Sequence, residues 1–158
     1  KRIVDEGHEI GNHSFTHPNC SQLSREKFRE ELTSTTDLIY ALTETRSCYF
    51  RPPFGDYSNM VIEVCQEEDH QVIQWSIDSL DWKSPGVDFI VKRVLDQVSP
   101  GDIILFHNNG EHTLEALQIL IPKLLADDYK IVPLSELVYK DNYYIESHSG
   151  LQRPLPQE

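Results

Sequence analysis

Positive charge is scarce in this 158-residue chain: 14 Lys and Arg stand against 26 Asp and Glu, a formal net charge of −12. A nucleic-acid binder needs clustered Lys and Arg to neutralise phosphates, and a membrane-surface helix needs a basic face, so the composition argues against both. Cysteine is scarce as well. Cys20, Cys48 and Cys65 are few and odd in number, which makes no disulfide framework and leaves the redox compartment open. No apolar stretch approaches the ~18–20 residues of a membrane span. No basic start followed by an apolar run marks a signal peptide. Internal repeats and low-complexity segments are lacking too. What is present is 39% apolar residues spread along the chain, enough to pack one domain at this length rather than two.

The chain opens abruptly. Lys1–Glu6 (KRIVDE) followed by Gly7 reads as the last turn of a helix and its left-handed stop. The expectation is that residues upstream of Lys1 belong to the same domain. His8–Asn12 fits a short strand. From Ser24, half of a capping box, Phe28, Leu32, Thr35 or Thr36, Ile39 and Leu42 or Thr43 share one helical face. Tyr49–Pro53 reads as a strand ending in a Pro-Pro-Phe-Gly turn, Asn59–Asp69 as a helix, and Gln71–Ile77 as a buried strand. Val87–Val98 is a predicted helix stopped by Pro100-Gly101. Asp102–Phe106 is a buried strand, His112–Ala126 a helix, Lys130–Val132 a strand and Leu134–Val138 a helical turn. Residues 1–140 are taken as the domain, and residues 141–158 as a polar, loosely held tail.

Helices and strands therefore alternate, and the apolar strands have no clean polar face. That pattern implies an α/β layer fold or a barrel of parallel strands covered by helices. Chemistry in such folds gathers at the carboxyl ends of the strands. Four polar clusters lie there. His13-Ser14-Phe15-Thr16-His17 offers two imidazoles that can share one metal ion, or a pair of surface histidines. Arg51-Pro52-Pro53-Phe54-Gly55 is a gripping Arg on a fixed turn, or a turn with a surface Arg. Asp78 and Asp81, beside Trp82, are site carboxylates or turn formers. His107 ends the most apolar strand, as a core-edge residue or a general acid or base.

Taken together, GHEIGNHSFTHPN, RPPFG, DSLDW and ILFHN, in this order, resemble the second to fifth motifs of the polysaccharide deacetylases, the NodB-like carbohydrate esterase family four. The similarity covers roughly Lys1–Val138. It implies a distorted (β/α) barrel, a divalent metal (zinc, with cobalt or nickel as alternatives) and removal of acetyl groups from sugars.

The resemblance assigns His13 and His17 as metal ligands. It assigns Arg51 to holding the catalytic-base carboxylate and the Phe54 N–H to the oxyanion. It implies that Asp81 orients His107 and raises its basicity, that His107 is the general acid, that Trp82 lines the sugar groove and that Leu105 belongs to the apolar wall. Asp78 is read as structural. The family's first motif, Thr-Phe-Asp-Asp, is not in this sequence. It would supply the base and the third metal ligand, and is expected upstream of Lys1, with those N-terminal strands, either in the same polypeptide or as a separate chain.

The leading functional expectation is N-deacetylation of an N-acetylglucosamine polymer, peptidoglycan or chitin-like. Alternatives are an acetylxylan O-deacetylase, a relative acting on small cyclic amides, and a catalytically incomplete carbohydrate-binding fragment. A cell-wall substrate would place the protein in the secreted or cell-surface class. His8, His70, His112 and His148 are expected to be non-functional, Cys20 to pack under the His loop, and Glu67, Glu68 and Asp69 to be a solvated helix end.

Overall fold

A computed structural model describes residues 1–146 and 149–156; His148 lies outside the described residues. The first element, α1 (Arg2–Asp5), is a single helical turn. Gly7 follows it at φ +83, the left-handed stop the sequence indicates. The long helix α2 (Arg25–Thr43) starts on Ser24, whose hydroxyl accepts the Lys27 N–H, and ends on Glu44 in the left-handed conformation. Phe28, Leu32 and Ile39 face inward along its length, while Leu42 is exposed. The next helix, α3 (Asn59–Glu67), is capped by Ser58 and packs on α2 through Val61, Val64 and Cys65.

Four short parallel strands form two pairs. Strand β1 (Tyr49–Phe50) pairs with β2 (Gln71–Val72), Tyr49 opposite Gln71. Strand β3 (Ile77–Asp78) pairs with β4 (Ile104–Leu105), Asp78 opposite Leu105. The stretch Gln71–Ile77, expected as one strand, is thus two strand ends in different sheets. Ile73 N–H still donates to Phe50 O, and Ser76 N–H donates to Ile103 O, so the chain leaves one pair and joins the other between them. His8–Asn12 contributes only a bridge, Asn12 opposite Phe50. Lys130–Val132 is irregular rather than a strand.

Two cores result. Cys20, Phe28, Leu32, Phe50, Val61, Val64 and Cys65 fill the first. Phe28 and Phe50 meet edge to face at 5.4 Å between ring centres. Cys20 and Cys65 are buried there, and their thiols are pushed up to about 12, chiefly by burial; the small packing role expected of Cys20 fits this. The second core joins β3 to α4 (Val87–Leu95) and α5 (Thr113–Ala126) through Ile77, Ile90, Val94, Ala116 and Leu120. Helix α5 is apolar nearly all round, yet Leu114, Ile121 and Leu125 are exposed. A helix of that character ordinarily has partners on more than one side.

A last turn, α6 (Leu134–Leu137), is tied to the chain start by Glu9, whose carboxylate accepts the Ser135 N–H at 3.0 Å. The segment expected to be a loose tail instead carries a hairpin. Strand β5 (Tyr143–Ile145) runs antiparallel to β6 (Gln152–Pro154). The expected solvated helix end is also more structured than its composition suggests. Arg25 and Arg29 of α2 pair with Glu63, Glu67 and Glu68 at the end of α3.

Candidate active site

The loop carrying His13 and His17 leaves the Asn12 bridge and turns back at once. Asn12 is fully buried. Its Nδ2 donates to Leu32 O (2.8 Å) and Thr36 Oγ1 (2.9 Å), and its Oδ1 accepts the Ser14 N–H at 2.9 Å. The Ser14 hydroxyl then accepts the His17 N–H at 3.0 Å. Ser14 (φ 67) and His17 (φ 60) are both left-handed, unusual for residues with a Cβ. The segment is therefore a tight turn, and it brings the two rings together edge-on at 4.9 Å.

The Nδ1 of His13 lies 2.6 Å from Arg51 O. A carbonyl only accepts, so Nδ1 carries the hydrogen and Nε2 keeps its lone pair. Burial lowers the pKa of this ring, and the nearby charges of His17, Arg51 and His107 lower it further; the bond to Arg51 O opposes them. A neutral imidazole with a free Nε2 is the form that binds metals.

Arg51 follows β1. Its Nε is buried without a hydrogen-bond partner, and burial lowers its pKa. An unpaired guanidinium in such a place is costly unless a carboxylate meets it. Beyond it, Phe54 adopts φ 59, ψ 6 and sets its ring edge-on to His17 at 4.6 Å. The turn is held from both sides. Gln74 Nε2 donates to Gly55 O at 2.8 Å, and Asp56 accepts the Ser21 N–H and hydroxyl at 2.9 and 2.7 Å. Gly55 is required here: at φ +70 a Cβ would stand 3.0 Å from the Trp75 ring.

The third cluster is built on Asp81, whose side chain is fully buried. Its Oδ1 accepts from His107 Nδ1 (2.8 Å) and Trp82 N–H (2.9 Å). Its Oδ2 accepts from His107 N–H (2.7 Å) and the Thr113 hydroxyl (2.6 Å). Burial alone would raise the pKa of this carboxyl. The Thr113 hydroxyl and the two His107 donors outweigh it, so the group lies below the usual carboxylate value. Leu105, at the end of β4 and two residues before His107, is buried. Trp82 is half-exposed between Lys83, whose Nζ stands 4.8 Å over the ring, and Asp78. Asp78 does structural work, as expected: its Oδ1 accepts the Leu80 N–H.

Four residues that shape the site carry no expectation from the sequence. They are Asn12, Glu31, Gly110 and Thr113. Glu31, on α2, accepts from Phe15 N–H, Thr16 N–H and the Thr16 hydroxyl at 2.7–2.8 Å. Its burial would raise the pKa, but these donors bring it below the usual value. Gly110 passes so close to Thr113 and Asp81 that a side chain has no room. Of the other histidines, His70 is buried, with its ring nitrogens near Glu68 O and Thr36 Oγ1, a structural arrangement.

Among the described residues, no three His, Cys, Asp or Glu side chains converge as a metal site. His13 and His17 supply two donors of a type that suits zinc. Together with the unpartnered Arg51 Nε, they fit a centre completed by carboxylates from elsewhere. No helix among the described residues is long and apolar enough to cross a membrane.

Comparison with known proteins shows the family. The polysaccharide deacetylase family model matches residues 1–73. A chitooligosaccharide deacetylase of Bradyrhizobium is 32% identical over 152 residues, covering 87% of this chain and 69% of that protein. This chain belongs to the polysaccharide deacetylase family. A peptidoglycan-N-acetylglucosamine deacetylase of Bacillus cereus is 33% identical over 141 residues, covering 87% of this chain and 51% of its own length. The polysaccharide deacetylase chain spans about half the length of the first curated relatives it matches. A solved pseudoenzyme of carbohydrate esterase family four from Bacillus anthracis is 38% identical with a TM-score of 0.82, over 87% of this chain and 48% of that one. A mutant of that pseudoenzyme is described as having restored enzymatic activity. The α/β fold expected from the sequence, of the distorted (β/α) barrel type, is the fold of this family.

Proposed function

We propose that this chain carries the two histidine ligands and the general acid of a site that hydrolyses acetyl groups from an N-acetylglucosamine-containing polysaccharide, peptidoglycan or chitin-like. The observation that carries the reading is the convergence of His13 and His17, 4.9 Å apart between ring centres, with His13 Nδ1 on Arg51 O and the buried Arg51 Nε left without a hydrogen-bond partner. Such a site asks for anionic partners, and its full activity requires carboxylates from outside this chain. A groove of about 640 Å³ runs from Arg51 along Val94, Ile104, Phe106, Leu120 and Ile131. An apolar strand bearing those carboxylates, in the same polypeptide or a separate one, would lie in it and bring one of them to Arg51.

His13, through Nε2, and His17 would hold a divalent metal, with zinc as the first choice and cobalt or nickel as alternatives. When bound, the metal supplies Lewis-acid polarisation of the acetamide carbonyl and lowers the pKa of a water. Arg51 orients the external carboxylate that takes the water's proton. The Phe54 N–H stands in a turn whose next two N–H groups are already spent on Pro52 O and Pro53 O; it is the donor for the developing oxyanion. Loss of one such donor typically costs about 10²–10³ in rate. With Nδ1 turned to Asp81, His107 moves its proton from Nε2 to the departing amine as the C–N bond breaks. Acetate and a free amino sugar leave. Trp82 offers a half-exposed aromatic face to a sugar ring, and Leu105 backs the acid.

The test is acetate release from peptidoglycan, chitooligosaccharide and acetylxylan by the full-length protein and its His107→Ala variant. Release from an N-acetylated polymer that His107→Ala abolishes supports the reading. Release from acetylxylan alone would replace it with O-deacetylation. A second reading is favoured by the 38% identity to a family pseudoenzyme: a sugar-binding protein without turnover. Binding of N-acetylglucosamine oligomers with no acetate release under any metal would establish that one. A cell-wall substrate places the site of action outside the cell membrane, as a secreted or surface-held protein.

A further inference from the structure

We propose that Glu31 is a positioning residue that holds His13 and His17 in convergence, an inference resting on the reading of these two as metal ligands. The turn between them is not self-supporting. Two of its residues, Ser14 and His17, are left-handed without being glycine, a conformation that persists only where the surroundings enforce it. Helix α2 does the enforcing at two points of the turn. At the start, Asn12 is fixed to Leu32 O and Thr36 Oγ1. In the middle, Glu31 takes both main-chain N–H groups of Phe15 and Thr16 on one oxygen, at 2.8 and 2.7 Å. Its other oxygen takes the Thr16 hydroxyl at 2.7 Å.

Those contacts fall on the two residues immediately before His17. The neighbouring side chains Phe28 and Leu32 are fully buried in the first core, so α2 is a rigid mount for the carboxylate. Removing it frees two adjacent N–H groups and one hydroxyl, and leaves the backbone before His17 without a tether. Gln at this position retains most of the arrangement. Its carbonyl oxygen accepts both N–H groups, and its amide nitrogen donates to the Thr16 oxygen.

The experiment compares the full-length protein with Glu31→Ala, Glu31→Gln and His13→Ala. Amide exchange at Phe15 and Thr16 is read without metal, and zinc binding by calorimetry. Ala is a strong helix former, so α2 survives the change, and thermal unfolding of the metal-free protein confirms it. The expected result is accelerated exchange at Phe15 and Thr16 in Glu31→Ala, zinc affinity weakened by about 10–100-fold, and recovery of most of both in Glu31→Gln. Exchange at these two amides unchanged in Glu31→Ala, or zinc affinity unchanged, overturns the proposal. If His13→Ala binds zinc as tightly as the unaltered protein, the ligand reading fails separately, and the exchange data still decide whether Glu31 holds the turn.

Discussion

Asp81 and His107 are joined twice. The ring Nδ1 of His107 meets Oδ1 of Asp81 at 2.8 Å, and the backbone N–H of His107 meets Oδ2 at 2.7 Å. One bond aims the ring and the other fixes the backbone that carries it. The carboxylate is fully buried, so each of its four donors substitutes for water it has lost.

Thr113 is the donor most easily removed. Thr113→Val keeps the shape and deletes the hydroxyl, at a cost of about 1–3 kcal/mol by urea unfolding at neutral pH. Asp81 is depressed in the folded state, so its stabilisation is present above the ordinary carboxylate value and is lost as pH falls through the depressed one. With one donor gone the folded value rises, and the acid-unfolding midpoint moves to higher pH. An unchanged acid limb would show that Thr113 contributes nothing to the carboxylate.

Gly110→Ala attacks the same group sterically. A Cβ there would lie 2.2 Å from Thr113 Oγ1 and 3.0 Å from Asp81 Oδ2. Loss of turnover with unchanged metal content is expected, since His13 and His17 sit on another loop. Combined with Thr113→Val the stability loss is smaller than the sum, because both act on one contact. Strict additivity in a double-mutant cycle would refute the shared mechanism.

Phe28→Ala empties the centre of the first core, where Phe28 packs edge-on against Phe50. A cost of about 3–5 kcal/mol is expected. Because Phe28 lies one helical turn before Leu32 and Glu31, the loss should also speed amide exchange at Phe15 and Thr16. Chemical denaturation followed by exchange measurement checks both.

Arg51→Lys keeps the charge and loses the planar fork. If Arg51 grips an external carboxylate, turnover falls by at least about tenfold with little change in metal content, as expected for a group that orients the base. Wild-type turnover in Arg51→Lys would remove Arg51 from the site.

Much of this arrangement is readable from residue order. Gly7, the Ser24 cap and the inward face of Phe28, Leu32 and Ile39 follow local rules of helix ends and periodicity. The four polar clusters at strand ends could be located because apolar runs announce the strands before them. The split of Gln71–Ile77 between two sheets was not legible, since a run of β-branched and aromatic residues looks the same whether one strand or two ends bury it. Glu31, Asn12 and Thr113 were hidden for a different reason. Their partners lie 15 to 32 residues away, and a Glu on an amphipathic helix or a Thr at a helix start reads as ordinary surface. The hairpin at Tyr143–Pro154 is not legible because its composition is polar, and its cross-strand pairing appears only in the fold.

The central claim is a division of labour between the His13–His17 pair and His107. It is tested most directly by measuring bound zinc and acetate release together in His13→Ala and His107→Ala of the full-length protein. The account predicts that His13→Ala loses both, whereas His107→Ala keeps its zinc and loses turnover. Full zinc in His13→Ala, or undiminished acetate release from His107→Ala, would contradict it.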